Sequence, residues 1–259
     1  LTSIAIWYEP YDDRVWIIGD TQTFRDFGVL SDASAKIFPL SVTCWAPGSE
    51  GFFDHRTHSY SFGYAIAGST FPALMTYAVV STAVTKLVSG RGAPPPSLLN
   101  IAMLVARVGT KYIRETEAFF EAALIGWCPA LESYQVVTIK PNLEVPPSLR
   151  THSWAAKTSG VVLLGAHQDA IRAKIAEVDG ELADQTLRRA PSLALKRILA
   201  SGSLQGIGGS IQKAYVHQVG GFQLLATLEA GPARMSLMGL DVMELGHVGS
   251  YAIGLDGTV

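Results

Sequence analysis

Residues 1–36 read LTSIAIWYEPYDDRVWIIGDTQTFRDFGVLSDASAK, and the rest of the chain is organised around them. Ser3-Ile4-Ala5-Ile6-Trp7-Tyr8 forms one arm of a β-hairpin, and Arg14-Val15-Trp16-Ile17-Ile18-Gly19-Asp20 forms the other. Glu9-Pro10-Tyr11-Asp12-Asp13 is the turn, because proline presets φ and aspartate bonds its own backbone. Thr2 therefore opens a buried strand, Asp20 closes its partner, and Lys36 follows after a polar loop. Thr2 alone is an ordinary strand residue, Asp20 alone a strand-end turn residue, and Lys36 alone a solvated charge. Only their order carries information.

Working outward, Ile37–Trp45 and His55–Ala67 read as strands flanking a turn cluster at Ala46–Gly51, with a protruding hairpin or loop at 46–60. A helix is predicted from Phe71 to Leu87, with Ser69 or Thr70 as its cap and Pro72 in its first turn. A second runs from Ser97 to Arg114, its apolar face set by Leu98, Ile101, Leu104, Val105 and Val108. Strands Phe119–Trp127 and Tyr134–Lys140 follow, then an irregular, proline-containing segment, Pro141–Thr158. Val161–Gly165 leads into a helix from Gln168 to Val178, a charged connection at Gly180–Arg189, and a helix at Ser192–Ala200. The glycine-rich turn Gly206–Gly209 opens strand Ile211–Gln218, and Gly220-Gly221 turns into Gln223–Leu228. Strands separated by paired helices suit stacked sheets between helix layers.

The succession of Thr2, Gly19-Asp20, Lys36-Ile37 and then Ala67-Gly68-Ser69 before a long helix resembles the catalytic β-type subunits of proteasomes and their bacterial relatives. These are N-terminal nucleophile hydrolases. The Asp-to-Lys spacing matches theirs; the Thr-to-Asp spacing is slightly longer, and the turn Glu9–Asp13 absorbs the difference. The resemblance implies an α+β fold, a four-layer αββα sandwich, over residues 1–228, and leaves 229–259 as an unassigned C-terminal extension. It also implies the site. The Thr2 hydroxyl would attack a carbonyl while its α-amine, with an ordinary pKa of about 7.7–8.0, takes the proton. Lys36 would disfavour protonation of that amine, Asp20 would orient Lys36, and the Gly68 N–H would meet the oxyanion. Thr23, Ser34, Phe38, Ile66, Thr70 and Leu74 would line the substrate side chain, a set of apolar residues and small hydroxyls that suits cleavage after a medium apolar residue. Read without the resemblance, Phe38, Ile66 and Leu74 are plain core.

The chain departs from the family pattern in two ways. With Leu1 in place the nitrogen of Thr2 is an amide and no base, so activity requires a chain that starts at Thr2. Many proteasome β subunits carry a Gly-Ser-Gly turn before the third helix and an Asp and Ser before the last glycine turn. Here the first place reads Gly165-Ala166-His167, and the second, Ser203–Gly209, lacks an aspartate. Three readings follow: a threonine peptidase, an inactive scaffold subunit, and an N-terminal nucleophile amidase acting on a small amide.

Composition narrows the classes. Of 259 residues, 48% are hydrophobic and only 16% charged, so some apolar surface is expected to be covered by neighbouring subunits, and the resemblance implies self-association into a ring or helical homo-oligomer. A net charge of −2 gives no electrostatic case for nucleic acid or an anionic membrane. Two cysteines, Cys44 and Cys128, argue against a disulfide scaffold and fit the reducing cytoplasm. The apolar run Phe71–Val88 is broken by Thr76, Ser81, Thr82, Thr85 and Lys86, which fits a buried helix better than a membrane span. No cofactor or metal is expected. His55 and His58 make a pair without further ligands and read as loop, and His152, His167, His217 and His247 read as structural. No Gly-x-Ser-x-Gly elbow occurs, and the glycine turns lack the Lys-Ser/Thr of a phosphate loop. The expected substrate is a peptide or unfolded protein, with any ATPase partner left open.

Overall fold

A computed structural model describes residues 2–25, 28–143, 148–154, 160–182, 189–228, 235–248 and 250–252. In chain order the elements begin β1 (Ser3–Glu9), β2 (Arg14–Asp20), β3 (Thr23–Arg25), β4 (Gly28–Ser31), β5 (Ile37–Ala46), β6 (His55–Gly68) and α1 (Thr70–Val84). They continue with β7 (Leu87–Val88), α2 (Leu98–Thr116), β8 (Phe120–Cys128), β9 (Ser133–Lys140), β10 (Ser148–Ser153), β11 (Val161–Gly165), α3 (Gln168–Glu181) and α4 (Ala190–Ser201). Last come β12 (Ile211–His217), β13 (Gly221–Leu225), β14 (Thr227–Leu228), β15 (Met235–Leu237), β16 (Leu240–Asp241), α5 (Val242–Leu245), β17 (His247–Val248) and β18 (Tyr251–Ala252).

The chain divides into two compact units. The first comprises residues 1–38, 159–215 and 223–259; the second comprises 39–158 and 216–222. This corrects the expected four-layer αββα sandwich. The order of strands and helix pairs along a chain specifies local neighbours, and that order is satisfied here within each unit by its own sheet and its own helix pair. Among the described residues, three small sheets, β14-β15-β16, β17-β18 and β3-β4, accompany the two large ones.

The first unit carries the five-stranded sheet β11-β1-β2-β12-β13. Its β1–β2 hairpin sets Ile4 opposite Gly19 and Glu9 opposite Arg14. Strand β1 is buried along its whole length because β11 pairs on its other side, Ser3 opposite Gly165. Ala5, Trp7, Ile18, Leu163, Ile171, Leu195 and Ile198 form one buried cluster, joining the sheet to α3 and α4. Trp16 stacks on Trp7, with ring centroids 6.5 Å apart, and meets Tyr215 at 5.3 Å. Lys213 Nζ lies 4.5 Å from the Trp16 ring centre, and Arg14 lies 4.3 Å from that of Tyr215.

The second unit carries the six-stranded sheet β10-β9-β8-β6-β5-β7. Its helices differ in kind. Helix α2 is amphipathic and starts on a capping box, the Ser97 hydroxyl accepting from Asn100 N–H and the Asn100 side chain accepting from Ser97 N–H. Helix α1 is apolar on its buried face (Ala73, Val80, Val84) and on its exposed one (Phe71, Leu74, Met75, Val79). Ser69 occupies its N-cap position without a side-chain bond, and the helix ends at Val84, where Leu87–Val88 pairs parallel with β5. The segment read as irregular holds β10, an exposed edge strand on β9. No helix among the described residues is long and apolar enough to cross a membrane.

Candidate functional site

Pairing of β1 with β2 brings the first residues of the chain beside Asp20. Ser3 N–H donates to Asp20 Oδ1 at 2.9 Å, and Lys36 Nζ donates to Asp20 Oδ2 at 2.9 Å. One carboxylate thus bridges the backbone next to Thr2 and the lysine ammonium. All are buried: Asp20 is 0% exposed, Lys36 4% and Thr2 6%. The Thr2 carbonyl accepts from Ala166 N–H at 2.8 Å, and the Ser3 hydroxyl donates to the Ala166 carbonyl at 3.2 Å. Main-chain groups of the Gly165-Ala166 turn therefore hold the start of β1.

Burial lowers the pKa of Lys36 from its ordinary value, and the Asp20 charge and hydrogen bond offset part of that effect. The lysine also donates to the Gln22 carbonyl. Breaking such a buried pair strands the remaining charge at a cost of about 3–5 kcal/mol.

The segment between Asp20 and Lys36 is a structured loop that contains the β3–β4 hairpin. Ser34 N–H donates to the Thr21 carbonyl at 2.8 Å, and the Thr21 hydroxyl donates to the Asp32 carbonyl. The glycine-rich turn docks on this loop: Thr21 N–H donates to Ser210 O at 3.1 Å, and Gln22 N–H to Gly208 O at 3.0 Å. Two supports lay outside the sequence reading. Gln212 accepts from the N–H groups of Lys36 and Ile37. The C-terminal extension, left unassigned from sequence, turns at Met238-Gly239 between β15 and β16 against the same loop. A Cβ at Gly239, whose φ is +88°, would stand 2.9 Å from Ala33 Cα and 3.2 Å from Thr21 Cβ.

The first unit thus brings together Thr2, Asp20 and Lys36, and on the following segment carries Thr23, Ser34 and Phe38, all partly buried. Gly68, Ile66, Thr70 and Leu74 belong to the second unit. Gly68 ends β6 opposite Phe120, with φ +98°, and a Cβ there would meet the Phe119 carbonyl oxygen at 2.9 Å. Ile66 is buried, Thr70 half-buried and Leu74 37% exposed. His55 and His58 lie on β6 instead of in a loop, and His58 Nε2 is 3.2 Å from the Ala93 carbonyl oxygen. His167 Nε2 is 2.9 Å from the Gln205 carbonyl oxygen. The described residues contain no cluster of three or more metal-ligating side chains.

Solved structures provide the comparison. Anbu from Hyphomicrobium sp. strain MC1 superposes with a TM-score of 0.52 at 13% identity, covering 83% of this chain and 81% of that one. The Anbu (Gly-1) mutant from the same strain gives 0.52 at 12%, covering 82% and 80%. Anbu (ancestral beta-subunit) from Yersinia bercovieri gives 0.53 at 11%, covering 83% and 81%. The chain shares the fold of Anbu. No protein-family model matches it, and no curated protein matches it. The resemblance to proteasome β-type subunits is accordingly corrected as a family assignment: what the chain shares with the Anbu structures, at 11–13% identity, is the fold.

Proposed function

We propose that this chain is a threonine peptidase on an Anbu-like fold, with Thr2 as its nucleophile once Thr2 is the first residue. The Thr2 hydroxyl oxygen attacks the carbonyl carbon of a peptide bond, and its proton passes to the free α-amine. The part of oxyanion donor is proposed for the Gly68 N–H, as the resemblance implies. Collapse breaks the C–N bond, the proton goes to the leaving amine, and an ester to Thr2 remains. Water, deprotonated by the same α-amine, hydrolyses the ester and restores the hydroxyl. Lys36 keeps the α-amine unprotonated, and Asp20 holds Lys36 in place.

The observation that carries this reading is the Asp20 carboxylate, fully buried and bridging Ser3 N–H to the Lys36 ammonium. A buried charge pair beside the Thr2–Ser3 backbone is costly as scaffolding alone and suits a tuned site. Thr23, Ser34, Phe38, Ile66, Thr70 and Leu74 are proposed to contact the substrate side chain of a peptide or unfolded protein. The doubly apolar α1, with Leu99 and Met103 exposed on α2, supports self-association into a homo-oligomer.

The test combines intact mass with turnover of fluorogenic peptides carrying a medium apolar residue before the scissile bond. A chain starting at Thr2 is expected to cleave them and to be modified by a threonine-directed inhibitor, and Thr2→Ala abolishes both. Absence of turnover and of modification from a chain starting at Thr2 rejects the peptidase. The second reading, a silent scaffold subunit, is favoured by one observation: Ala166, at the place where the resemblance puts a serine, meets Thr2 and Ser3 through its backbone groups.

A further inference from the structure

Strand β12 turns Gln212, Ala214 and Val216 to one buried face, and Gln212 is the polar exception among them, 1% exposed. Its Oε1 accepts from Lys36 N–H at 2.8 Å and from Ile37 N–H at 3.0 Å, across a sequence separation of 176 and 175 residues. Two backbone donors facing one oxygen settle the orientation of the amide: the flipped form would set its NH₂ group against two N–H groups. The same orientation leaves Nε2 buried without a partner among the described residues. An apolar residue would remove that unpaired donor but would orphan two backbone N–H groups at the point where Lys36 enters β5. The acceptor oxygen is therefore what the position requires.

We infer that Gln212 is a positioning residue for Lys36: its side-chain oxygen sets the backbone from which the lysine reaches Asp20. It touches neither Thr2 nor a substrate in this role and acts only through Lys36. Pinning the backbone amide at one end and the ammonium at the other, where Asp20 Oδ2 and the Gln22 carbonyl accept, leaves the lysine a single course. The effect on catalysis rests on the role proposed above for Lys36; the effect on the lysine itself does not.

The experiment compares wild type, Gln212→Leu and Gln212→Glu. Glutamate keeps the acceptor and adds a negative charge; leucine removes the acceptor. NMR of ¹³C-labelled lysine follows the Lys36 titration in each folded protein, with Asp20 as the charged group already facing it. The Lys36 midpoint is expected to move in both variants, upward in Gln212→Glu because added negative charge favours the ammonium. In chains starting at Thr2, Gln212→Leu is expected to lose kcat by roughly 10- to 100-fold with KM within about twofold, and Gln212→Glu to recover most of it. A Lys36 midpoint unchanged in both variants overturns the inference, as does an equal loss of kcat in the two. If wild type cleaves no peptide, the peptidase reading falls while the lysine titration still decides the part played by Gln212.

Discussion

The loop from Asp20 to Lys36 and the corner from β6 into α1 bury polar groups by different means. Around the loop, buried polar groups bond across long stretches of chain: Lys36 Nζ donates to Asp20, Gln212 Oε1 accepts from Lys36 N–H, and the Thr21 hydroxyl accepts from Ser210 N–H. At the corner, the buried hydroxyl of Thr76 bonds the Pro72 carbonyl one turn back, at 2.7 Å, within the same helix. Local satisfaction maintains a helix whatever lies elsewhere. Long-range satisfaction makes one region conditional on several others, as expected where charged groups must be held in fixed positions.

Four substitutions test this contrast. Asp20→Ala leaves the Lys36 ammonium without its carboxylate and Ser3 N–H without its acceptor, and should cost about 3–5 kcal/mol by chemical denaturation. Leu124→Ala, at a fully buried site on β8, should cost about 2–5 kcal/mol through its cavity. It should leave the Lys36 titration where it was, whereas Asp20→Ala lowers that midpoint because an attractive charge is gone. A shift of Lys36 in Leu124→Ala would show that the contrast is false.

Gly239→Ala forces a side chain into a left-handed turn and against Ala33, and should cost on the order of 1–3 kcal/mol. Its hydrogen-exchange signature should be confined to the Thr21–Ser34 loop and the tail. Exchange unchanged at the loop would remove the tail from the site.

The smallest effect concerns Lys213, whose pKa is lowered to about 8 by burial first, and by Arg189 and Lys196. The unfolded chain then holds this proton more tightly than the folded one. The burial penalty on the charged form is present in full below pH 8, and stability rises as pH climbs from about 8 towards 10.5. Lys213→Met should flatten that rise in Tm, and an unaltered slope would assign it to other groups.

Much of the framework was legible in local pattern. The hairpin of β1 and β2 came from two arms around the Glu9–Asp13 turn, and α2 from its periodic face. Strand β10 was not legible, because Ser148-Leu149-Arg150-Thr151-His152-Ser153 is an exposed edge whose stability comes from pairing with β9, not from a buried face. The end of α1 was misplaced for a related reason: Leu87 and Val88 extend a helical apolar run, yet β5 offers them a parallel partner.

By itself the sequence determined which side chains could do chemistry, because residue type and order are properties of the chain: a threonine opening a strand, a carboxylate closing its partner, a lysine beyond a polar loop. Tertiary structure alone decided that Asp20 joins Ser3 to Lys36, that Gln212 sets the lysine's backbone, and that the tail turns onto Thr21 and Ala33. These contacts join residues far apart in the chain. A hydrogen bond is a condition on distance and angle between two groups, and no local propensity expresses it.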